Sequence, residues 1–220
     1  MDKIELTNRI INNLSNSNET QLRYDALDVS DPEYMLHSPK PIGYNTTSEQ
    51  QFLMQNLLVG FGGGKLLDIG CGRCDLYGIA SELATLNNDI ILYDAIDHNP
   101  IMTQLGKQKW GLDGIKLGAF ETAQLDPSDW VVASGVFTQR RCATEDDDLK
   151  KLFDDIDILY NISTQIVSFN LLNPINNTHH EGFFYVHPGL VMDMLIEKYQ
   201  YVTVRNNYSK DVYTVLIYKL

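Results

Sequence analysis

The chain has 220 residues, 44% apolar and 21% charged, enough for one domain around a single core and too apolar to remain disordered. It carries 17 basic against 29 acidic residues, a net charge of -12 and a pI of about 4.7, with its basic residues scattered or in short pairs such as Arg140-Arg141 and Lys150-Lys151. That balance disfavours a grip on nucleic acid or an anionic membrane, which calls for a basic face.

Only three cysteines occur, Cys71, Cys74 and Cys142, and the opening residues do not form a signal-type apolar core. No apolar run approaches the roughly 20 residues that cross a bilayer. The expectation is a soluble protein of a reducing compartment, the cytoplasm.

Ile4, Leu6, Ile10, Ile11 and Leu14 fall on one face of a short helix within residues 1–15. Residues 15–46 are polar and turn-rich, yet Tyr24, Tyr34 and Tyr44 suggest packing. From there the pattern alternates. A helix is predicted over Ser48 to Val59 with Thr47 as its N-cap, then a strand over 65–69. Next come a helix over 76–86, a strand over 90–96 and a helix that Pro100 opens. Strands are predicted over 114–117 and 130–133. Glu145-Asp146-Asp147-Asp148 opens a long helix whose apolar stripe includes Leu149, Leu152, Phe153, Ile156 and Leu159. This acidic start suits the positive end of the helix dipole and reads as a solvated turn, with a metal site as the minor alternative. A buried strand over 165–171, a helix over 188–199 and a hairpin of strands 201–205 and 212–218 complete the chain. The predicted fold is therefore α/β: a Rossmann-like, doubly wound sheet of seven mostly parallel strands, with one antiparallel strand from the C-terminal hairpin.

In such sheets ligands sit beyond the carboxyl ends of the strands, at the switch in strand order. The first strand ends Leu67-Asp68-Ile69-Gly70-Cys71-Gly72, and the second ends Asp94-Ala95-Ile96-Asp97-His98-Asn99-Pro100. Glycines let backbone approach a ligand, and an acid closing the second strand is placed for ribose hydroxyls. A dinucleotide fingerprint requires a third glycine where Asp75 stands, which weakens a nicotinamide reading.

The form Asp68-x-Gly70-x-Gly72 resembles the first motif of class I S-adenosylmethionine-dependent methyltransferases, and Ala95-Ile96-Asp97-His98-Asn99-Pro100 resembles the second. Gly118-Ala119-Phe120-Glu121 and Asp129-Trp130-Val131-Val132-Ala133-Ser134-Gly135-Val136-Phe137 match the family's later strand ends. Ser134-Gly135-Val136-Phe137, Val167-Ser168-Phe169-Asn170 and Phe183-Phe184-Tyr185-Val186-His187-Pro188 are similar to an uncharacterised group of bacterial and phage methyltransferase-like proteins. The resemblance implies S-adenosyl-L-methionine as cofactor. It places Asp68, Gly70, Cys71 and Gly72 at the methionine end, Asp97 and His98 at the ribose, and Ala119 and Phe120 at the adenine. Ser134 and Gly135 fall at the acceptor rim, with Tyr44 as a cover. It implies residues 47–220 as the cofactor-binding methyltransferase domain and 1–46 as a helical or irregular cap. Cys74 departs from the pattern, standing where the family usually has a third glycine. The spacing Cys71-x-x-Cys74 reads as packing beside the glycine loop; no metal is expected.

For the acceptor, His179, His180 and Glu181 are candidate catalytic residues in a polar segment, with Asn170 and His187 nearby in sequence. A His-His-Glu run in a loop is more often solvated than catalytic. The fourth strand is not followed by the Pro-Pro-aromatic motif of amino-methylating DNA enzymes, and no Pro-Cys nucleophile of cytosine-C5 enzymes occurs. With the acidic charge, this favours a small molecule, a sugar-type intermediate or a protein side chain over nucleic acid. Two alternatives stand beside a methyltransferase: a non-catalytic binding or scaffold protein of the same fold, and a nicotinamide-dependent oxidoreductase.

Overall fold

A computed structural model describes residues 31–175 and 179–219. The helix predicted within residues 1–15, most of the predicted cap and residues 176–178 lie outside them. The strands are β1 (Gly64–Ile69), β2 (Ile91–Asp97), β3 (Ile115–Leu117), β4 (Ser128–Ala133), β5 (Ser163–Leu172), β6 (Val202–Arg205) and β7 (Val212–Tyr218). They form one seven-stranded sheet in the order β3-β2-β1-β4-β5-β7-β6. The first five run parallel, and β7 lies antiparallel to both β5 and β6. The strand order reverses between β1 and β4, so the switch point falls at the carboxyl ends of those two strands.

The helices are α1 (Pro32–His37), α2 (Thr47–Leu57), α3 (Asp75–Leu86), α4 (Pro100–Trp110), α5 (Glu145–Ile162) and α6 (Pro188–Tyr199). Side chains alternate between the faces of a strand, and here both faces are covered. Leu67, Ile69, Val131, Ala133, Val167 and Phe169 pack with Leu152, Ile156 and Leu159 of α5 and Val191 and Leu195 of α6. Leu66, Trp130, Val132 and Leu216 face the opposite way, against Leu57 of α2 and Leu76, Ile79 and Ala80 of α3. Among the described residues no helix is long and apolar enough to cross a membrane.

Two local expectations are corrected. The cap of α2 is Thr46, not Thr47: Thr46 is extended and its hydroxyl accepts from the Glu49 N–H at 3.1 Å, while Thr47 is already helical. Two adjacent threonines are equivalent in pattern, and only backbone conformation separates them. The acidic opening of α5 is not uniformly solvated. Thr144 caps it, and the buried Asp148 accepts from Arg140 Nε and the N–H groups of Arg141 and Cys142. With the Arg141–Asp155 pair at 2.6 Å, this pins the segment after β4 onto α5.

At the far edge, β3 pairs only with residues 95–97 of β2. The preceding residues of β2 form no ladder on that side among the described residues, and Ile90, Leu92 and Leu117 are exposed there.

Candidate functional site

The turn after β1 is built around its glycines. Gly70 has φ +62°, and a Cβ there would lie 2.6 Å from Cγ2 of Val136, so β1 and the segment after β4 meet through the missing side chain. Gly72, at φ +54°, donates its N–H to Asp97 Oδ2 at 2.7 Å. Asp97 Oδ1 accepts from the Asn99 N–H at 2.8 Å, and Asn99 in turn caps α4. One buried carboxylate thus joins the end of β2 to the first glycine loop and the start of α4. Burial pushes the Asp97 carboxyl above its usual range; the Asn99 and Gly72 N–H groups, and His98 with Nδ1 at 3.8 Å, oppose that shift.

Asp68 is 1% exposed. Its Oδ2 accepts the Tyr93 hydroxyl, and among the described residues its buried Oδ1 has no hydrogen-bond partner. Burial raises its pKa to about 7, with Asp97 and Asp75 adding to the rise and the Tyr93 hydroxyl opposing it. An orphaned carboxylate oxygen beneath a glycine turn is costly unless a donor or cation reaches it.

Cys74 closes the turn at φ +58°, the left-handed conformation that favours glycine. The Cys74 side chain is fully buried beside Ala95 and Ile115, with Sγ against α4 at Gly106. The Cys71 thiol is kept protonated first by its hydrogen bond with Cys74 and then by burial. Both are free cysteines.

The remaining predicted residues fall into separate groups. Tyr44 reaches the end of β4, its hydroxyl 3.1 Å from Ser134 Oγ. Its pKa is raised by burial first, and then by the charges of Asp68, Asp75 and Glu49. Gly135 donates its N–H to Asn170 Oδ1 at 2.7 Å, so Asn170 holds the turn after β4. Ala119 is exposed just past β3, where Gly118 donates its N–H to the Asp97 carbonyl, while Phe120 is buried in the larger core. Among the described residues, a Cβ added to Gly72, Gly118 or Gly135 meets nothing within 4 Å, so these strand ends border open space there.

His179, His180 and Glu181 are exposed in the segment between β5 and α6. The His179 ring stacks on Tyr185 at 4.6 Å and its Nε2 lies 3.3 Å from the Pro174 carbonyl. His180 donates its N–H to the Tyr185 hydroxyl and packs edge-on to Phe183. His187 caps α6, its Nδ1 accepting from the Gly189 N–H. Backbone bonds from Arg140 N to Gly182 O and from Phe184 N to Thr138 O, each 3.0 Å, tie this segment to the one after β4 in a short ribbon. The two segments thus form one rim. Among the described residues no group of three or more His, Cys, Asp or Glu is placed to hold a metal ion.

Sequence reasoning missed Tyr93, Arg73 and Asp75. Asp75 accepts from Gln50 of α2 (2.6 Å), Arg73 (2.9 Å) and Lys109 of α4 (2.6 Å). Arg73 and Asp75 carry a signal, opposite charges two apart where the glycine turn enters α3, but their partners are distant in sequence.

A seven-stranded α/β sheet in this order is the fold that solved S-adenosylmethionine-dependent methyltransferases share. No protein-family model and no curated protein matches the chain. Solved structures do. A magnesium protoporphyrin IX methyltransferase from Synechocystis with bound S-adenosylmethionine superposes with TM-score 0.58 at 12% identity, covering 93% of this chain and 100% of that one. A SAM-dependent methyltransferase from Aquifex aeolicus gives TM-score 0.54 at 15% identity, covering 86% and 99%. Human N-acetylserotonin methyltransferase in complex with SAM gives 0.53 at 16% identity, covering 77% of this chain and 51% of the human one.

Proposed function

We propose that the chain is an S-adenosylmethionine-dependent methyltransferase acting on a small molecule, a sugar-type intermediate or a protein side chain. The observation that carries this reading is the Gly72–Asp97 junction beside the switch point, with open space, among the described residues, at Gly72, Gly118 and Gly135. Asp97 keeps lone pairs for ribose hydroxyls while it holds the loop in place. His98 and Ala119 border the nucleoside, Phe120 supports that border from the core, and Ser134 and Gly135 close the opposite end. Gly70, Cys71 and Gly72 form the floor, and Tyr44 covers it from residues 1–46, which serve as a cap on the 47–220 domain. The orphaned Asp68 oxygen suits a cationic cofactor from below. Bound there, the cofactor supplies an electrophilic methyl group on a cationic sulfur. The rest is alignment: the rim after β4 and β5 presents the nucleophile in line and excludes water. His179, His180 and Glu181 on that rim are the candidates for taking its proton.

Titration calorimetry of the purified chain tests the cofactor site. S-adenosylmethionine and S-adenosylhomocysteine are expected to bind with dissociation constants on the order of 1–100 µM, in the usual range of enzyme affinities. No heat at high micromolar cofactor would remove the reading. Binding without transfer of labelled methyl to any fraction of a cell extract would favour the scaffold alternative, for which the engagement of His179 with Tyr185 and Pro174 speaks.

A further inference from the structure

Arg73 lies in the middle of the glycine turn, yet its side chain is only 1% exposed. Its Nε donates to Asp75 Oδ2 at 2.9 Å, and its Nη1 donates to the main-chain carbonyl of Met35 at 2.5 Å. Met35 belongs to α1, which has six residues and is capped at its start by Asp31. A helix that short does not hold in water by itself, and its last carbonyls have no partners within the helix. The guanidinium supplies one such partner, as a cation at the negative end of the helix. The Met35 side chain is buried as well.

The same segment is tied at its other end, where the Tyr44 hydroxyl meets Ser134 Oγ after β4. Both anchors of residues 31–46 therefore end on strand-end turns, one after β1 and one after β4. The Arg73 anchor is itself braced. Asp75 also holds Gln50 of α2 and Lys109 of α4, and the Arg73 carbonyl accepts Trp110 Nε1 at 3.2 Å. Asp75 keeps Lys109 when the guanidinium is removed, so the loss of Arg73 leaves no uncompensated carboxylate.

We infer that Arg73 is a positioning residue that couples the cofactor turn to the segment 31–46, so that ordering of either favours ordering of the other. The inference rests on the methyltransferase reading for the identity of the ligand, but the tie between Arg73 and α1 does not. Coupling between two sites is reciprocal: a ligand that fixes the turn must also hold the segment, and an undocked segment must weaken the ligand.

Hydrogen–deuterium exchange on the full chain, with and without S-adenosylhomocysteine, reads both directions. In the free wild-type protein, peptides within 31–46 exchange more slowly than in Arg73→Met, and saturating S-adenosylhomocysteine slows them further. Arg73→Met is expected to weaken S-adenosylhomocysteine about tenfold, the usual weight of a hydrogen bond from a charged group, at temperatures far below its melting point. Arg73→Lys, which keeps the charge but reaches only one of the two acceptors, falls between. A purely structural role would lower the melting temperature and leave affinity and the local exchange pattern of the folded protein unchanged; that result overturns the inference. Equal exchange at 31–46 in the wild type and both variants overturns it too. If the wild type binds no S-adenosylhomocysteine, the methyltransferase reading fails, and the free-protein comparison still decides whether Arg73 holds the segment.

Discussion

Replacing Asp97 with alanine is expected to weaken S-adenosylhomocysteine binding by about 10- to 100-fold, the equivalent of losing one or two hydrogen bonds to a charged acceptor. The effect has two sources. One is the direct loss of an acceptor for ribose hydroxyls. The other is the release of the Gly72 and Asn99 N–H groups, which Asp97 holds at 2.7 and 2.8 Å. Because both donors are backbone amides, Asp97→Asn is a poor substitute. Its single carbonyl oxygen can serve one of them, and its NH2 group faces the other donor. Calorimetry should therefore show Asp97→Asn closer to Asp97→Ala than to the wild type. Affinities within threefold of wild type for both variants would mean that the cofactor does not sit on this junction.

Asp68→Asn should change how both stability and affinity depend on pH. The folded-state pKa is raised from 3.8 to about 7, so the folded chain binds more protons than the unfolded one between those values. The contribution of this group is fully present below about pH 4 and is lost as pH rises through about 7. A rise of about 3 units corresponds to roughly 4 kcal/mol, an upper figure for what ionisation costs the empty site at pH 8. Asparagine keeps the shape and an acceptor for the Tyr93 hydroxyl, without the charge. The variant should melt higher than the wild type at pH 8 and near it at pH 5. Cofactor binding runs the other way, since a sulfonium or ammonium favours the ionised carboxylate. Affinity of the wild type for S-adenosylmethionine should climb by up to about tenfold per pH unit below 7 and flatten above it, with a shallower climb for the uncharged sulfur of S-adenosylhomocysteine. In Asp68→Asn the climb should vanish. Parallel melting curves and parallel affinity profiles for the two proteins would show that Asp68 stays ionised throughout.

The parts of this molecule that are legible in its sequence are those written locally. The strand over 65–69, the glycines at 70 and 72 and the acid at 97 each follow from neighbours within a few positions. The hairpin at 201–205 and 212–218 is visible for the same reason. What escapes notice is written across the chain. Tyr93 meets Asp68 only because β1 and β2 pair in parallel with Leu67 opposite Asp94. Arg73 and Met35 are 38 positions apart, and nothing in the polar stretch before Gly43 shows that its one buried methionine marks a docking point. The acidic run at 145–148 reads as four equivalent surface residues, yet its last member is turned inward by the three donors that precede the helix. The rim carrying His179 and His180 is placed by two backbone bonds to Thr138 and Arg140, which side-chain pattern cannot encode.

The brevity of β3 has a practical consequence. Among the described residues nothing pairs with the first half of β2 on that side, with Ile90 and Leu92 beside it, the arrangement on which strands of separate molecules add to one another. No proline stands in that stretch; Asp89 and Asp94 flank it, and the whole chain carries a charge of -12. Mutual repulsion between copies opposes such pairing, and it fades as the solution approaches the pI of about 4.7. Purification and storage at neutral or mildly basic pH preserve that repulsion, whereas acidic crystallisation conditions remove it.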